Sequence, residues 1–563
     1  MNIHSIFTDP QDITFKNYLR YCGIKDIGKY FSAQTVEPLE HYDNIMEVAK
    51  LVLDSVEQNK TFYILQDSDQ DGVLSACVQY MYLKMIRPNL NIKVLMHDKN
   101  PKAHGLNDNE IMNQLITNAS GIEGFDSQVG ILWIADAGSN DTGECKILKE
   151  YGYDIIITDH HDKIKDNPYA LIINNQYSDN VVNKSLSGTG VTFKLCQAID
   201  NLNNTNYATN LISYVHLSNI GDSCSFVNSE QHTFRVWGIS YLHPYLKPFI
   251  NEFNYNGGLN NMDFSFGVVS KINAVIRVGT LAEKQTLFMA LACGKDVDGA
   301  IEICKKCKTL QDKQVTDILE NHIILDYGGD EYKEINNYES KVDIYLVDQK
   351  TPLTGLIANK LMSRNNKPIL LVHYNSETKH YDGSVRSNVE FRELCEQSGL
   401  FDYASGHAFA FGIGWSENRH KDIINWLDSI TLSEPQITVL SSHSIKSLPT
   451  RLFSEFAQIT QCIYGQGISQ PLVHIHDITF DTKDIQIMGA NKRTLKLVKN
   501  NISFLWFMVS NKDKEILTTG GRKKLEIVGE LGINEYNGYK NNQIIVKNFE
   551  ISNVPEVTLD DIF

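Results

Sequence analysis

The sequence lacks the features of a membrane-inserted or exported protein. No apolar run approaches the roughly 18 consecutive residues that a membrane-spanning helix needs. Residues 1–7 (MNIHSIF) lack the basic region and apolar core of a secretory signal peptide. We therefore expect the protein to work in the cytoplasm.

Cysteine is also sparse, with 10 residues in a chain of 563. This number and its scatter exclude a disulfide framework, which small secreted domains need because their cores are small. Cys304 and Cys307 form the one close pair. A single CxxC without a second pair is weak evidence for zinc, so we interpret the pair as two positions of a helix.

Basic residues are outnumbered, which gives a net charge of −16. This charge argues against broad, non-specific affinity for nucleic acid. It leaves room for a local basic groove, because acidic residues can be concentrated in a metal site. The length of the chain predicts about three or four domains, since single cores stop growing well below this size.

Three carboxylates occupy a short stretch between a predicted strand and a predicted helix. Residues 61–65 form an apolar run typical of a buried strand, and residues 73–78 begin an apolar helix pattern. Between them lie Asp67, Asp69 and Asp71. If this turn is extended, the alternate side chains share one face. Like charges this close together are costly unless a cation neutralises them, and carboxylate oxygens are ligands that suit Mg²⁺ or Mn²⁺. A solvated acidic loop is the alternative interpretation.

More apolar runs follow, and their carboxyl ends carry further metal-ligand residues. These predicted strands lie at residues 91–96, 129–135, 154–158 and 171–174. They are continuously apolar, as in a parallel sheet covered on both faces, where ligands bind beyond the carboxyl ends of the strands. Asp136 follows one strand, and Asp159, His160 and His161 end another. This grouping predicts a dinuclear metal site. Asp222 ends an apolar helix and by itself would be only a cap.

In this order, the motifs resemble those of the DHH phosphoesterase superfamily, and within it the RecJ single-stranded-DNA exonucleases. Asp67–Gly72 resembles the motif DxDxDG, and Asp159-His160-His161 is the DHH motif itself. Residues 271–279 (KINAVIRVG) resemble the RecJ segment RINAAGRLG. Residues 383–387 (GSVRS) and 405–412 (SGHAFAFG) resemble motifs of the DHH-associated domain.

The resemblance implies an α/β fold in several parts. A parallel-sheet DHH domain, a long helical connection and a smaller α/β DHH-associated domain precede an OB-like β-barrel. The expected boundaries are 1–230 for the DHH domain, 231–335 for the helical connector, 336–432 for the DHH-associated substrate-binding domain, 433–553 for the OB-like nucleic-acid-binding domain and 554–563 for an acidic tail.

The resemblance also implies a role for each residue of a two-ion Mn²⁺ or Mg²⁺ site. Asp136 would bridge the ions. Asp71, His160 and Asp222 would complete the ligands of one ion, and Asp69 with Asp67 would serve the other. His161 would contact the scissile phosphate, and Asp159 would orient a neighbouring histidine. The expected catalytic residues are therefore Asp136, His160, His161 and Asp159.

Substrate contacts are expected between the two α/β domains and on the barrel. Ser384 and Arg386 resemble the residues that hold the 5′-terminal phosphate, with Arg277 beside them; a salt bridge between domains is the alternative for Arg386. Lys102 and His104 stand where the family usually has an arginine segment. Gly406 and His407 would line the cleft, with the glycine backbone open to substrate. Lys492, Arg493 and Lys496 would line a nucleic-acid groove, unless the barrel only packs against the other domains.

The resemblance implies a metal-dependent exonuclease that degrades single-stranded DNA from the 5′ end to 5′-mononucleotides, in recombination, repair or replication. A DHH phosphodiesterase acting on nano-RNA or cyclic dinucleotides is an alternative, and an inactive replication scaffold of the Cdc45 type is another. The tail at residues 557–563 resembles the tip of single-stranded-DNA-binding proteins. It would dock a replication or repair partner, or serve only as a solubilising end.

Overall fold

The computed structural model describes residues 1–98, 103–120, 129–326, 340–432, 436–458, 463–490, 492–536 and 538–553. The chain begins with a short strand and three helices: β1 (Ile3–Ser5), α1 (Phe15–Tyr21), α2 (Ile27–Ser32) and α3 (Ile45–Glu57). The sequence predicted only helices and loops before residue 60, and β1 escaped that prediction because its partner strand lies at Ile437–Val439.

A five-stranded parallel sheet forms the core of the amino-terminal half, in the order β3-β2-β4-β5-β6. The strands are β2 (Phe62–Gln66), β3 (Ile92–Met96), β4 (Ile131–Ala135), β5 (Asp154–Asp159) and β6 (Leu171–Asn174). The helices are α4 (Gln70–Ile86), α5 (Asn109–Ser120), α6 (Thr142–Glu150), α7 (Gly188–Asn203) and α8 (Ile212–Gly221). On β2, Phe62 and Ile64 enter one hydrophobic cluster and Tyr63 and Leu65 enter another. The predicted parallel sheet with both faces covered is therefore confirmed.

The strand order places a switch point between β2 and β4, because the chain runs from β2 outward to β3 and then returns to β4 on the other side. Neighbouring loops diverge at such a point and leave a crevice at the carboxyl edge of the sheet. The acidic stretch after β2 and Asp136 after β4 flank this crevice.

A helical segment links this sheet to the next. It comprises α9 (Ser229–Ser240), α10 (Lys247–Phe253), α11 (Asn261–Phe264), a π-helical turn (Ser265–Val269), α12 (Ser270–Val278), α13 (Leu281–Cys293) and α14 (Val297–Asn321). Cys304 and Cys307 are both buried on α14, which agrees with their interpretation as helix positions. The backbone leaves helical geometry at Gly267, between α11 and α12.

A six-stranded mixed sheet follows, in the order β11-β12-β10-β9-β8-β7. Its elements are β7 (Ile323–Asp326), β8 (Asp343–Val347), α15 (Thr354–Asn365), β9 (Ile369–Asn375), β10 (His380–Arg386), α16 (Arg392–Ser398), β11 (Tyr403–His407), β12 (Ala410–Ser416) and α17 (His420–Ser429). The edge strand β7 lies inside the range that the sequence assigned to the helical connector, because the segment pairs with β8 after the long helix ends.

The carboxy-terminal module, residues 436–553, is built on a seven-stranded sheet in the order β14-β15-β19-β20-β18-β17-β16. Its elements are β13 (Ile437–Val439), β14 (Ser442–Ser444), α18 (Arg451–Phe453), β15 (Leu472–Asp481), β16 (Gln486–Met488), β17 (Thr494–Lys499), β18 (Ile502–Trp506), α19 (Asn511–Thr518), β19 (Arg522–Tyr536) and β20 (Tyr539–Asn553). The segment β13 pairs in parallel with β1, so the chain's start is attached to this module.

Candidate active site

The candidate site lies at the carboxyl edge of the five-stranded sheet. Asp67 directly follows β2, Asp136 directly follows β4, and Asp159 is the last residue of β5. All three carboxylates are almost fully buried. Burying three acids together is costly unless hydrogen bonds or cations compensate for the lost hydration.

The carboxylates after β2 are held in two different ways. Asp67 accepts hydrogen bonds from His104 Nδ1 at 2.7 Å and from the Gly105 amide at 2.9 Å. Asp69 is the N-cap of α4, where its side chain accepts the Gly72 amide. Because α4 begins at Gln70, the expected extended turn does not reach Asp71.

Asp71 instead lies inside the first turn of α4 and points at the start of α7. It accepts the amides of Gly188 at 2.7 Å and Thr189 at 2.9 Å, as well as the Ser218 hydroxyl. Amides at a helix N-terminus are good donors to a carboxylate, so this set of hydrogen bonds fixes the orientation of the Asp71 side chain. The roles of Thr189 and Ser218 were missed from the sequence, although the Gly-Thr-Gly start of α7 was visible there.

Asp136 adopts a left-handed backbone conformation, with φ of +64°. Non-glycine residues in this region carry strain, and such strain is concentrated at functional sites. Gly188 packs so closely that a β-carbon there would lie 2.7 Å from the Asp136 Cα. Burial, and then the negative charges of Asp71, Asp69 and Asp67, raise the pKa of Asp136 well above its usual value.

The two histidines after β5 have different partners. His160 Nε2 lies 3.1 Å from Asp136 Oδ1 and 3.9 Å from Asp71 Oδ2. His161 Nδ1 lies 2.7 Å from Asp159 Oδ1. Burial lowers the pKa of His161, but Asp159 outweighs this effect and raises that pKa to about 10. Asp159 is thus positioned to orient His161, while the ring of His160 remains among the site carboxylates.

Asp222 joins the site from α8, of which it is the C-cap. Its Oδ2 lies 3.6 Å from His160 Nδ1. Burial raises the pKa of Asp222 to about 6; His160 opposes this shift, and the charges of Asp71 and Asp69 add to it. A residue that the sequence alone would treat as a helix cap therefore faces the same cluster as the strand-end acids.

Three overlapping sets of side chains have ligand atoms close enough to share an ion, each set within 4.8 Å. In the described part of the chain these sets are Asp67-Asp69-Asp136, Asp71-His160-Asp222 and Asp136-His160-His161. Asp136 and His160 each occur twice, which suits two neighbouring ions that share ligands. The donors are mostly carboxylate with imidazole and no thiolate, a set that fits Mn²⁺ or Mg²⁺ better than structural zinc.

Three of the residues expected to bind substrate lie at the end of α12 and on β10 of the six-stranded sheet. Burial lowers the pKa of Arg277, and the charge of Asp69 opposes that shift, so the two groups are within electrostatic range of each other. Burial, and then the charge of Arg277, lower the pKa of Arg386. Ser384 Oγ lies 2.9 Å from Thr354 Oγ1 at the start of α15. We name Arg277, Ser384 and Arg386 together the basic recess: Ser384 and Arg386 share strand β10, and the charge of Arg277 reaches Arg386.

The remaining cleft residues have placements that the sequence did not specify. His104 contacts Asp67 directly, and Lys102 lies outside the described residues. His407 ends β11, where it pairs with Ala410. At Gly406, with φ of +132°, a β-carbon would lie 2.9 Å from the Phe411 Cα. Packing inside the β11–β12 hairpin therefore explains this glycine, and close approach of substrate is not needed for it.

Comparisons with known proteins agree with this arrangement. The DHH family, N-terminal domain, matches residues 61–218, and the RecJ OB domain matches residues 446–548. The chain therefore contains a DHH-family domain and a RecJ OB domain. It is 28% identical to the SPbeta prophage-derived single-strand DNA-specific exonuclease YorK of Bacillus subtilis strain 168, over 96% of each chain. It is 24% identical to the single-stranded-DNA-specific exonuclease RecJ of the same strain, over 92% of this chain and 65% of that one.

A solved structure shares the fold of this RecJ-like chain. RecJ of Thermus thermophilus, crystallised in complex with Mn²⁺, matches with a TM-score of 0.73 at 17% identity. The match covers 95% of this chain and 75% of that one. The predicted fold class, with an OB domain after the two α/β parts, is thereby confirmed.

The RecJ OB domain carries the basic residues expected to form a groove. Lys492 and Arg493 are exposed just before β17, and Lys496 lies on that strand. The Arg493 side chain donates to the carbonyls of Met508 and Val509, so it also fixes the segment after β18.

In the described part of the chain, no helix is both long and apolar enough to cross a membrane.

Proposed function

We propose that this RecJ-like protein is a metal-dependent exonuclease that hydrolyses single-stranded DNA in the 5′-to-3′ direction and releases 5′-mononucleotides. The observation that carries the proposal is the group of three possible ligand sets, linked to one another by Asp136 and His160, in a chain that also contains an OB domain. Work on DNA ends in recombination, repair or replication, in the cytoplasm, fits such an enzyme.

The donor set supports two Mn²⁺ or Mg²⁺ ions as cofactors. The raised pKa values of Asp136 and Asp222 reflect burial and mutual repulsion, which a bound cation would relieve. When bound, two such ions supply an activated water and neutralise charge at the reacting phosphorus. We assign Asp71, His160 and Asp222 to one ion, Asp69 and Asp67 to the other, and Asp136 to both.

The protein's own side chains would orient the reacting groups. Asp159 holds His161 through its Nδ1, which leaves Nε2 of that exposed ring available to a phosphate oxygen or the leaving group. Asp71 is fixed by the α7 amides, and Asp67 by His104 and Gly105. Such supporting hydrogen bonds keep ligands in position and tune their basicity.

The proposed 5′-to-3′ direction rests on the family resemblance, which gives the residues of the basic recess a role in holding a 5′-terminal phosphate. Arg386 and Arg277 supply two guanidinium groups, and Ser384 supplies a hydroxyl. Guanidinium groups suit a terminal phosphate, whose charge exceeds that of an internal phosphodiester. A 5′-terminal phosphate held there would place the first internal phosphodiester over the metal ligands. Lys102, His104, Gly406 and His407 are proposed as further contacts around this position.

The OB domain would hold the rest of the strand through Lys492, Arg493 and Lys496. A partner is proposed for the acidic tail, residues 557–563, which lies outside the described residues. Its acidic residues and terminal Phe563 suit docking to a replication or repair protein. Removing the last six residues should then abolish capture of that partner without changing digestion of naked DNA.

Digestion of end-labelled DNA and RNA, single- and double-stranded, tests the proposed activity. With Mn²⁺ or Mg²⁺, we expect mononucleotides from single-stranded DNA and faster digestion when the 5′ end carries a phosphate. EDTA and Asp136→Ala should each abolish the activity. Digestion that persists in EDTA would reject the metal mechanism, and preference for RNA dinucleotides over long DNA would reject the substrate assignment.

A further inference from the structure

A stripe of accessible side chains runs along the helices between the sheets. We define the α11–α12 stripe as Met262, Phe266, Ser270, Asn273 and Arg277. These positions are spaced by four, four, three and four residues, which places side chains on one face of a continuous helix. Phe266 is 69% exposed and Met262 is 62% exposed. The backbone departs from helical geometry at Gly267, so the spacing places Ser270, Asn273 and Arg277, which are half-buried, on one face of α12, and the exposed Met262 and Phe266 precede the kink.

The opposite side of α12 is buried in the hydrophobic core. Ile272, Ala274, Val275 and Ile276 are buried, and α12 packs against α14. The Lys271 side chain is held by other contacts, because its Nζ donates to the Phe266 carbonyl and lies 5.9 Å from the Phe253 ring centroid. In the part of the chain that the structure describes, the stripe is therefore the more accessible face of this helical segment.

One end of the α11–α12 stripe lies toward the proposed metal site, and the other end lies toward the OB domain. Arg277 lies in the last turn of α12, within electrostatic range of Asp69 and of Arg386 in the basic recess. At the other end, Asn261 Nδ2 donates to the Tyr464 carbonyl at 2.8 Å, and residue 464 lies within the matched RecJ OB domain. A strand that leaves the metal centre for the OB domain can therefore follow α12 and α11.

The stripe carries polar side chains at the end near the proposed metal site and apolar side chains at the other end. This order suits a single strand, which presents both phosphates and bases for contact. Arg277 and Asn273 provide donors for phosphates near the reacting end. Among the described residues, the Asn273 amide has no hydrogen-bond partner and remains available to a ligand. Phe266 provides an exposed ring, and Met262 extends that apolar surface by one helical turn. Bases stack on such rings with little regard to sequence.

We propose that Phe266, extended by Met262, is a stacking platform for a base of the single strand several nucleotides from the reacting end. Asn273 holds a phosphate between this base and the metal centre. Phe266 and Arg277 are 11 positions apart, and because the backbone leaves helical geometry at Gly267, the helical rise of about 1.5 Å per residue gives about 16 Å as only an approximate separation. That span corresponds to roughly three to five nucleotides. The inference rests on the proposed function, because it assigns the path of that enzyme's substrate.

Binding of a 20-nucleotide single strand to the full chain tests the platform. The Asp136→Ala substitution prevents digestion, and 2-aminopurine is placed at successive positions from the 5′ end. We expect quenching at one position, about three to five nucleotides from the end, that disappears in Phe266→Ala. The Kd for the strand should rise by about 5- to 100-fold in Phe266→Ala and stay near the parental value in Phe266→Trp.

Tyr241→Ala is the matched control, because Tyr241 is an aromatic residue that is 64% exposed at the end of another helix. Its Kd should not change. With Asp136 restored, kcat/KM for a dinucleotide should be the same in Phe266→Ala and wild type, because a dinucleotide does not reach the platform. An unchanged Kd in Phe266→Ala, or an equal loss on dinucleotide and 20-mer, would overturn the proposal.

The result also separates this inference from the proposed activity. A wild-type chain that binds the strand with Phe266-dependent quenching but does not cleave it would refute the exonuclease and leave the platform in place. Cleavage of single-stranded DNA with no effect of Phe266→Ala would do the reverse. Equal melting temperatures of the variants establish that a loss of binding is local.

Discussion

Asp136 is the residue on which both proposed ion sites depend. It combines a strained backbone with a carboxylate buried among Asp67, Asp69, Asp71 and Asp222. Each of these features lowers stability in the absence of metal, and strain of this kind persists only where surrounding structure enforces it. The residue is therefore placed for function at the expense of the metal-free fold.

Asp136→Asn should abolish digestion and yet stabilise the metal-free protein. The substitution keeps the shape of the side chain but removes a buried charge that repels its neighbours. We expect activity to fall at least about 1000-fold, as for the loss of an essential catalytic group. The melting temperature in EDTA should rise by about 2 °C or more. Asp54→Asn, which neutralises an exposed acid elsewhere, should change neither quantity; a lower melting temperature in Asp136→Asn would contradict the repulsion.

Asp222 gives the metal-free protein a defined dependence on pH. Its pKa is raised to about 6 in the folded chain, above the ordinary value of 3.8. A raised carboxyl pKa means that the folded state binds the proton more tightly, so the associated stability is complete below about pH 4 and is lost as pH rises through about 6. Asp222→Asn should remove this component. Unfolding titrations in EDTA at pH 4 and pH 7 should show a difference between the two proteins that changes by about 1–3 kcal/mol.

The dependence on pH should reverse when metal is present, because ions require the ionised carboxylate. Affinity for Mn²⁺, measured by calorimetry, should therefore weaken as pH falls below about 6 in the wild-type protein. If the stability difference between wild type and Asp222→Asn is the same at both pH values, the raised pKa is wrong.

Some site residues could be predicted from the sequence, and others could not. Asp67, Asp136 and Asp159 follow apolar strands, and the carboxyl ends of parallel strands meet at one edge, so their proximity follows from local pattern. Ser218 and Thr189 contact Asp71 from helices more than a hundred residues away along the chain. Their side chains carry no local signal, since serine and threonine serve many helices without contacting a ligand.

The start of α7 is the element that joins the acidic turn to the rest of the site. Its first amides donate to Asp71, and Gly188 allows the helix to approach Asp136. A β-carbon at Gly188 would meet the Cα, Cβ and Oδ1 atoms of Asp136 at 2.7 Å. Because two of these atoms are fixed by the strained backbone, the contact cannot be relieved by rotation of a side chain.

Gly188→Ala should therefore damage the site, although alanine is the better helix former. We expect a loss of stability of about 1–3 kcal/mol from overpacking and a strong loss of Mn²⁺ affinity as Asp136 moves. Gly143→Ala on α6 is the matched control, because nothing lies within 4 Å of a β-carbon there. It should gain about 0.5–1 kcal/mol. Urea unfolding and metal titration measure both effects, and equal behaviour of the two variants would exclude the proposed contact.

Strands could be predicted where the residues of the segment itself carry an apolar pattern. The apolar strands β2, β4 and β5 were visible because each is buried on both faces. The short strand β1 was not, since its three residues pair with β13 more than 400 residues away. The hairpin of β19 and β20 was visible only in part, because its two strands run to 15 residues each and alternate irregularly around a bulge.

The carboxy-terminal module is integrated with the rest of the molecule. Buried residues of its sheet, such as Ile475 and Leu525, belong to the same hydrophobic cluster as Phe62 of β2. Tyr18 donates to the Ser469 carbonyl, and Arg451 donates to the Pro10 carbonyl. Removal of the whole module would expose this shared core, so a truncated chain would misfold and would not report on DNA binding.

Point substitutions in the groove avoid that problem and test the module in the intact chain. The triple variant Lys492→Ala, Arg493→Ala and Lys496→Ala should bind a 20-nucleotide single strand more weakly at low salt. Each phosphate contact on single-stranded nucleic acid contributes about 0.7 to the slope of log affinity against log salt concentration, so the slope should fall by about 2. Fluorescence anisotropy between low and high salt measures it.

The matched control replaces Lys16, Lys25 and Lys29 by alanine, because these lysines change the net charge equally and lie near the start of the chain. If the slope depends on the groove, only the first triple variant should lower it, while kcat on a dinucleotide should stay the same in both. If both triple variants lowered the slope equally, the salt dependence would reflect net charge and not contacts in the groove. The strand would then be held by the α11–α12 stripe and the basic recess, and the OB domain would serve in packing.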